Sequence, residues 1–208
     1  MGKFYITSDD HFYHKNIIKY CNRPWNHGYD KDGNMIITDE DVQNMNNELI
    51  ENWNSVVNKD DIVFNLGDFC FLGKRTSPEY YSKYLNIFKY LNGVKYLLIG
   101  NHDISDVHVH YKIGWKAVYD RPILWSGNII FSHRPLCTKL KCDVSKLPFI
   151  NIFGHIHNNG CDFVNGESVV IPSVTKNTFC ACVELTNYKP ILLSEIEDRI
   201  KEKSLENE

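Results

Sequence analysis

The sequence is poor in the features that mark whole classes of protein. Its seven cysteines, at 21, 70, 137, 142, 161, 180 and 182, are odd in number and form no Cys-x-x-Cys pair. Neither a disulfide framework nor a thiolate zinc knuckle is indicated, and a reducing compartment fits best. No apolar run approaches the length that spans a bilayer, and MGKFYITSDD lacks a cationic leader followed by an apolar stretch. Met1-Gly2 begins like a myristoylation signal, but Ile6 stands where that signal needs Ser or Thr. Net charge is small, 23 Lys+Arg against 26 Asp+Glu for a balance of -3, which excludes a global basic field for holding nucleic acid. Linkers, repeats and low-complexity stretches are also missing. The expectation is a cytoplasmic protein without a membrane segment, in which any polyanion is gripped locally.

What is present is the composition of a packed globule: 208 residues, 43% hydrophobic and 13% aromatic. The chain reads as one domain over 1–197 with a charged, frayed tail over 198–208, and its oligomeric state leaves no mark on the sequence. Short apolar runs of strand character recur at 3–7, 61–66, 95–99, 128–132 and 149–153, and more closely at 168–171, 179–185 and 190–193. One helix opens at Thr38 as N-cap, with Asp41 three residues on and Val42, Met45, Leu49 and Trp53 on one face, and ends near Val57. A second has Ser77 as N-cap and Pro78 at the first helical position. Its predicted buried stripe is Tyr81, Leu85, Phe88 and Leu91, and Gly93 closes it. A short helix is expected over 14–20. Strands alternating with helices early and clustered strands late predict an α/β fold, parallel units merging into a mixed or antiparallel sheet.

Nine histidines are present, and their positions matter more than their number. Polar clusters follow five of the predicted strands: Asp9-Asp10-His11, Gly67-Asp68, Gly100-Asn101-His102-Asp103, His133, and Gly154-His155-Ile156-His157. Open α/β sheets place ligands at the carboxyl ends of their strands, so the five clusters can converge on one crevice. Asp-x-His alone is weak, since chance supplies roughly 0.6 copies in a chain of this composition. A second copy, Asp106-Val107-His108, reads as a decoy. Gly-His-x-His and Gly-Asn-His-Asp are far rarer, with roughly 0.02 and 0.004 copies expected. Asp, His and Asn together supply carboxylate, imidazole and amide oxygen, a borderline donor set suited to Mn²⁺ first, and to Fe, Zn²⁺, Co²⁺ or Ni²⁺. A carboxylate can bridge two such ions, and a pair about 3.5–4 Å apart clamps a phosphoryl group and activates water.

In this order the five clusters resemble the blocks of the calcineurin-like metallophosphoesterase superfamily, over positions 9–157, and SDDHFYHKNII at 8–18 is similar to small bacterial and phage-type members. The resemblance implies a two-sheet β-sandwich flanked by helices, α/β/β/α, and a two-ion phosphoester hydrolase. It implies one metal held by Asp9, His11, Asp68 and His157 and a second by Asp68, Asn101, His133 and His155, with Asp68 bridging and a shared hydroxide attacking phosphorus. His102 would assist at the leaving oxygen, with Asp103 orienting it. One departure is the block GDFCFLGKR at 67–75, whose Phe69, Cys70, Phe71 and Leu72 are apolar where many members carry polar residues.

Further candidates surround this set. His14 and Asn16, at the mouth of the short helix, could touch a substrate phosphate or merely cap the helix. Arg23 and Arg134 are candidate phosphate forks, Arg23 having a surface turn as its alternative. Asp106, His108 and His110 alternate, as on one strand face, and read as an adventitious metal site or a solvated edge. His27 reads as a loop residue, and Cys180 and Cys182 as core. The favoured substrate is a small phosphodiester or phosphomonoester, nucleotide-like in kind. The rivals are a nuclease gripping its strand with Lys74, Arg75, Arg134, Lys139 and Lys141, a metal-binding interaction module without turnover, and, behind these, a protein phosphatase.

Overall fold

The structure, a computed structural model, describes residues 2–71, 78–140, 143, 146–164 and 166–205. In chain order its elements are β1 (Phe4–Thr7), α1 (Lys15–Tyr20), α2 (Asp39–Val56), β2 (Ile62–Asn65), α3 (Pro78–Tyr90), β3 (Val94–Leu98), α4 (Val107–Ile113), β4 (Ala117–Tyr119), β5 (Ile123–Ser126), β6 (Ile129–Ser132), α5 (Leu136–Leu140), β7 (Ile150–Phe153), β8 (Cys161–Val164), β9 (Glu167–Val170), β10 (Val174–Thr175), β11 (Thr178–Cys180), β12 (Ile191–Leu192) and α6 (Leu193–Leu205). One five-stranded sheet runs β12-β1-β2-β3-β4 and a second runs β10-β11-β7-β6-β5. In the first, β1 to β4 are mutually parallel and β12 is antiparallel to β1. In the second, β11, β7 and β6 are parallel and the two outer strands antiparallel. β8 and β9 form a separate hairpin.

The two-residue period of a strand sends neighbouring side chains to opposite faces, and this builds the layers. Tyr5, Val63 and Leu97 face the helices and pack with Met45, Leu49 and Trp53 of α2 and Tyr84 and Ile87 of α3. Their neighbours Ile6, Phe64 and Leu98 face the other sheet, where Phe131, Ile152 and Phe179 meet them. Phe153 and Cys180 turn to the outer face of the second sheet, with Cys182, Ile156 and Ile171. The result is a two-sheet α/β fold with helices over the first sheet. Among the described residues no helix is long and apolar enough to cross a membrane.

The start of α2 is set as its sequence predicts. The Asp41 amide donates to Thr38 Oγ1 at 3.1 Å and the Thr38 amide to Asp41 Oδ2 at 2.7 Å, a reciprocal capping box. Four other expectations need correction. On α3 the buried stripe is Tyr80, Tyr84, Ile87 and Phe88, while Tyr81 is exposed. Phe88 and Leu91 are buried as expected, and only the first half of the stripe moves, from Tyr81 and Leu85 to Tyr80 and Tyr84, where the buried Tyr84 hydroxyl meets His110 Nδ1 at 2.8 Å and accepts from the Trp115 indole at 2.7 Å. Ser77, the expected cap of α3, lies outside the described residues. The strand expected over 179–185 stops at Cys180, and Val183–Leu185 form a 3-10 turn. Asp106 caps α4 by accepting from the His108 amide, so Asp106, His108 and His110 do not share a strand face. The segment from 198, expected as a frayed tail, continues α6 to Leu205, because Ile196 and Ile200, one turn apart, are buried between the sheets. Its charges are only the helix's wet face, as in the Glu195–Arg199 pair.

Candidate metal centre

The parallel strands β1, β2 and β3 of one sheet and β6 and β7 of the other end on the same side of the fold, and the turns after them carry the five polar clusters. These turns are strained in a telling way. Among the described residues nine non-glycines have positive φ, and five of them are Asp9 (59°), His11 (53°), Asp68 (55°), His155 (71°) and His157 (49°). Left-handed backbone costs a residue with a Cβ, and such outliers gather where a site dictates the direction of a side chain.

The side chains fall into two groups that share an edge: Asp9, His11 and His157, and Asp68, His133 and His155. Asp9 Oδ1 lies 3.8 Å from His11 Nε2 and 3.6 Å from His157 Nε2. Asp68 Oδ2 stands between the groups, 3.6 Å from His11 Nε2 and 3.5 Å from His133 Nε2, and Asn101 Oδ1 is 3.0 Å from His133 Nε2. Most of these separations are too long for hydrogen bonds. They match ligand atoms aimed at a common point, since donors about 2.1 Å from a tetrahedral ion stand about 3.4 Å apart. Asp9 Oδ1 and His11 Nε2 are moreover buried without any hydrogen-bond partner. Buried polar atoms rarely stay orphaned, so this pair fits a cation.

Partners behind these side chains fix their direction. His133 Nδ1 donates to the Leu66 carbonyl at 2.9 Å, which turns Nε2 inward. His157 Nδ1 lies 3.0 Å from Glu184 Oε1, and His155 Nε2 lies 3.2 Å from Asp162 Oδ1. Asp9 Oδ2 accepts from the Ser8 hydroxyl and from the His155 amide at 2.8 Å. The His102 amide donates to Asp68 Oδ1 at 2.7 Å.

Burial opposes charge throughout, and the carboxylates decide which rings keep a proton. Burial lowers the His11 pKa well below its usual range. Burial also disfavours charge on His133, but Asp68 and Asp9 raise it to about 9. For His157, Asp9 and its hydrogen bonds to Cys21 and Glu184 outweigh burial and raise it to about 11. Burial pushes the Asp68 carboxyl up, yet His133 and His11 hold it well below the usual range. The cluster therefore carries protons that a divalent ion bound there would have to displace. A pH dependence follows. A histidine whose folded pKa exceeds its unfolded value stabilises fully below about 6.5, and that contribution fades as pH rises through the folded value. Asp10, raised to about 7 by burial despite Arg23, acts in the same sense. Between pH 6.5 and 8 the protein in chelator is expected to lose stability, on the order of 2 kcal/mol per raised imidazole at most. His11 and His14, whose values are lowered, add nothing above pH 6.5. Thermal melts across that window, with chelator and with Mn²⁺, check this: the fall is expected only in chelator.

The remaining candidates divide. His102 and His14 line a crevice of about 510 Å³ together with Asn16, His11, His155 and His157. The His102 ring meets His11 edge-on at 5.3 Å, and His14 stacks on Phe71 at 4.3 Å. His14 makes no side-chain cap bond to α1. Asp103 serves the turns themselves. Its carboxylate accepts the backbone amides of Gly100, Asp68 and Phe69 at 2.8–3.0 Å and so builds the turns that carry Asp68 and His102. Arg23 is not a phosphate fork: it is wholly buried, with its donors on the carbonyls of Asp9 and Asp10 and on Glu184. Arg134 donates to Asp162 Oδ1 at 3.0 Å. Lys74, Arg75 and Lys141, and the side chain of Lys139, lie outside what is described. Sequence reasoning missed Glu184 and Asp162. The one trace of Glu184 was a lone acid in the apolar run FCACVEL.

No family model matches the chain. It is 35% identical over 200 residues to the uncharacterized protein MJ1445 of Methanocaldococcus jannaschii, covering 93% of this chain and 88% of the relative. The chain belongs to the family of that archaeal protein. A protein of unknown function from Aquifex aeolicus shares the fold, with a TM-score of 0.58 and 24% identity over 95% of this chain and 99% of its own. Two looser likenesses fall too low to bear on the fold. One is a nuclease from Pseudomonas putida, with a TM-score of 0.34, 20% identity and coverage of 52% of this chain and 50% of its own. The other is an archaeal phosphodiesterase, with a TM-score of 0.36, 19% identity and coverage of 82% of each chain.

Proposed function

We propose that the chain is a dinuclear-metal phosphoester hydrolase of the calcineurin-like metallophosphoesterase type, its two sheets forming the β/β centre of an α/β/β/α sandwich. The observation that carries this reading is the place of Asp68, whose Oδ2 stands 3.6 Å and 3.5 Å from imidazoles of two separate ligand groups. Asp9, His11, Asp68 and His157 would hold one ion, and Asp68, Asn101, His133 and His155 the other. Two bound divalent ions, Mn²⁺ foremost, would polarise a phosphoryl group and lower the pKa of water beside it. The chain's own residues do the rest. Asp68 stays ionised and supplies one carboxylate to both groups. His102, on the crevice wall next to His11, can hand a proton to a leaving oxygen. His14 and Asn16 line the same wall and can position the substrate's polar groups, while Phe71 and Tyr20 offer aromatic faces. A crevice of about 510 Å³ with that lining suits a small nucleotide-like ester.

Of the residues considered for a nuclease track, Arg134 is the one whose side chain is described, and it is paired with Asp162. The small-substrate reading rests on the volume and lining of the crevice. Asn101→Ala and His155→Ala are each expected to abolish Mn²⁺-dependent hydrolysis of an aryl phosphodiester while leaving the circular dichroism spectrum unchanged. Turnover equal to that of the unaltered chain would sink the assignment.

A further inference from the structure

Arg23 and Glu184 lie 161 residues apart, and no sequence pattern links them. Arg23 follows α1, and Glu184 sits in the 3-10 turn after β11. Both are almost completely removed from water, their side chains 0% and 2% exposed. Glu184 Oε1 accepts from Arg23 Nε at 2.9 Å and Nη2 at 2.7 Å, and lies 3.0 Å from His157 Nδ1. The guanidinium also donates from Nη2 to the Asp9 carbonyl and from Nη1 to the Asp10 carbonyl, both at 2.8 Å, and Nη1 lies 3.6 Å from Met45 Sδ. One buried ion pair thus grips the left-handed turn that aims Asp9 and the ring that ends in His157 Nε2.

Stability alone is a poor reason for such a pair. Burying two opposite charges usually costs as much as their attraction returns, and apolar side chains of the same volume often serve as well. Position is a better reason. Asp9 follows β1 of the first sheet and His157 follows β7 of the second. Their ligand atoms must be held across the gap between the sheets before any cation arrives. We infer that Arg23 and Glu184 form a buried clamp that presets the spacing of Asp9 and His157, Glu184 being a positioning residue for the first metal. The same construction recurs on the neighbouring ligand, where Asp162 Oδ1 lies 3.2 Å from His155 Nε2 and accepts from Arg134 at 3.0 Å. Each histidine after β7 is backed by a carboxylate that an arginine holds. This inference rests on the two-ion reading above and adds to it which residues tune the affinity of one pole.

Cys21, His157 and Glu184 also bring ligand atoms within 4.8 Å of one another, the makings of a separate metal site. The guanidinium on Oε1 argues against a second cation there. Glu184→Gln keeps the volume and removes the charge. It is expected to weaken one of two Mn²⁺ binding steps by about 10- to 100-fold and leave the other unchanged. The Mn²⁺ concentration for half-maximal turnover should rise by the same factor, and Glu184→Asp should recover part of the loss. Should the variant fail to fold, the ¹⁵N spectrum of the unaltered, Zn²⁺-loaded protein decides, with His157 expected to be protonated on Nδ1. Unchanged binding in a folded Glu184→Gln, or a His157 protonated on Nε2, overturns the clamp. So does a thiolate-to-Co²⁺ charge-transfer band that disappears in Cys21→Ser. If the unaltered chain binds no pair of ions at all, it is the two-ion reading that fails, not the clamp.

Discussion

Asp68→Asn is expected to give a folded chain that hydrolyses an aryl phosphodiester no faster with Mn²⁺ than without it. The asparagine keeps the shape of the side chain and the oxygen that accepts the His102 amide at 2.7 Å, so the turn has no steric reason to move. It removes the charge that faces His11 Nε2 and His133 Nε2 at 3.6 Å and 3.5 Å. On the two-ion reading, the two ligand groups would then no longer share a member, and two cations held close together would lose the anion between them. Stability of the metal-free protein should fall too, by about 3 kcal/mol, because one partner of a buried ion pair is gone. Metal titration, turnover and thermal melts on one preparation separate these effects. Metal-dependent turnover close to that of the unaltered chain would show that Asp68 does not bridge.

Gly154→Ala is expected to be as severe, through packing instead of charge. A Cβ at Gly154 would overlap Ser8 Oγ and Asp9 Oδ2. Neither neighbour can retreat. Both are fully buried, and Asp9 Oδ2 is held by the Ser8 hydroxyl, the His155 amide and Cys182 Sγ. Closely packed interiors charge about 3 kcal/mol or more for an insertion that cannot be absorbed. The structure can yield only by moving Asp9, which breaks the first ligand group. Denaturant unfolding should show the loss of stability and titration the loss of one ion. Near-normal stability with two ions bound would mean that the approach of β7's turn to β1's turn is looser than described.

These two residues also show what was legible in the sequence. Gly-Asp and Gly-His-x-His each join a residue that permits close approach to one that binds, directly after an apolar run, and strand-end placement follows from that pattern alone. The capping box at Thr38 and Asp41 was legible for a similar reason, since the interaction closes within four residues. What could not be read depends on contacts between distant segments. Asp103 stands next to His102 in sequence and suggests a local partner, and nothing there announces that its carboxylate also accepts amides from two different turns. Arg23 resembles a surface fork until the fold wraps it in the carbonyls of Asp9 and Asp10. Glu184 lies in an apolar run that reads as strand, where its charge had no visible partner. On α3 two adjacent aromatic stripes compete, and the choice falls to a hydrogen bond between Tyr84 and His110 that no periodicity encodes.

The most direct measurement is electron paramagnetic resonance of the chain titrated with Mn²⁺ beside a parallel count of bound ions. Two ions per chain with the spectrum of a spin-coupled pair is the expected result, because Asp68 would join them through one carboxylate, and the coupling should vanish in Asp68→Asn. A single ion, or two ions giving only the spectrum of isolated Mn²⁺, would contradict the dinuclear centre.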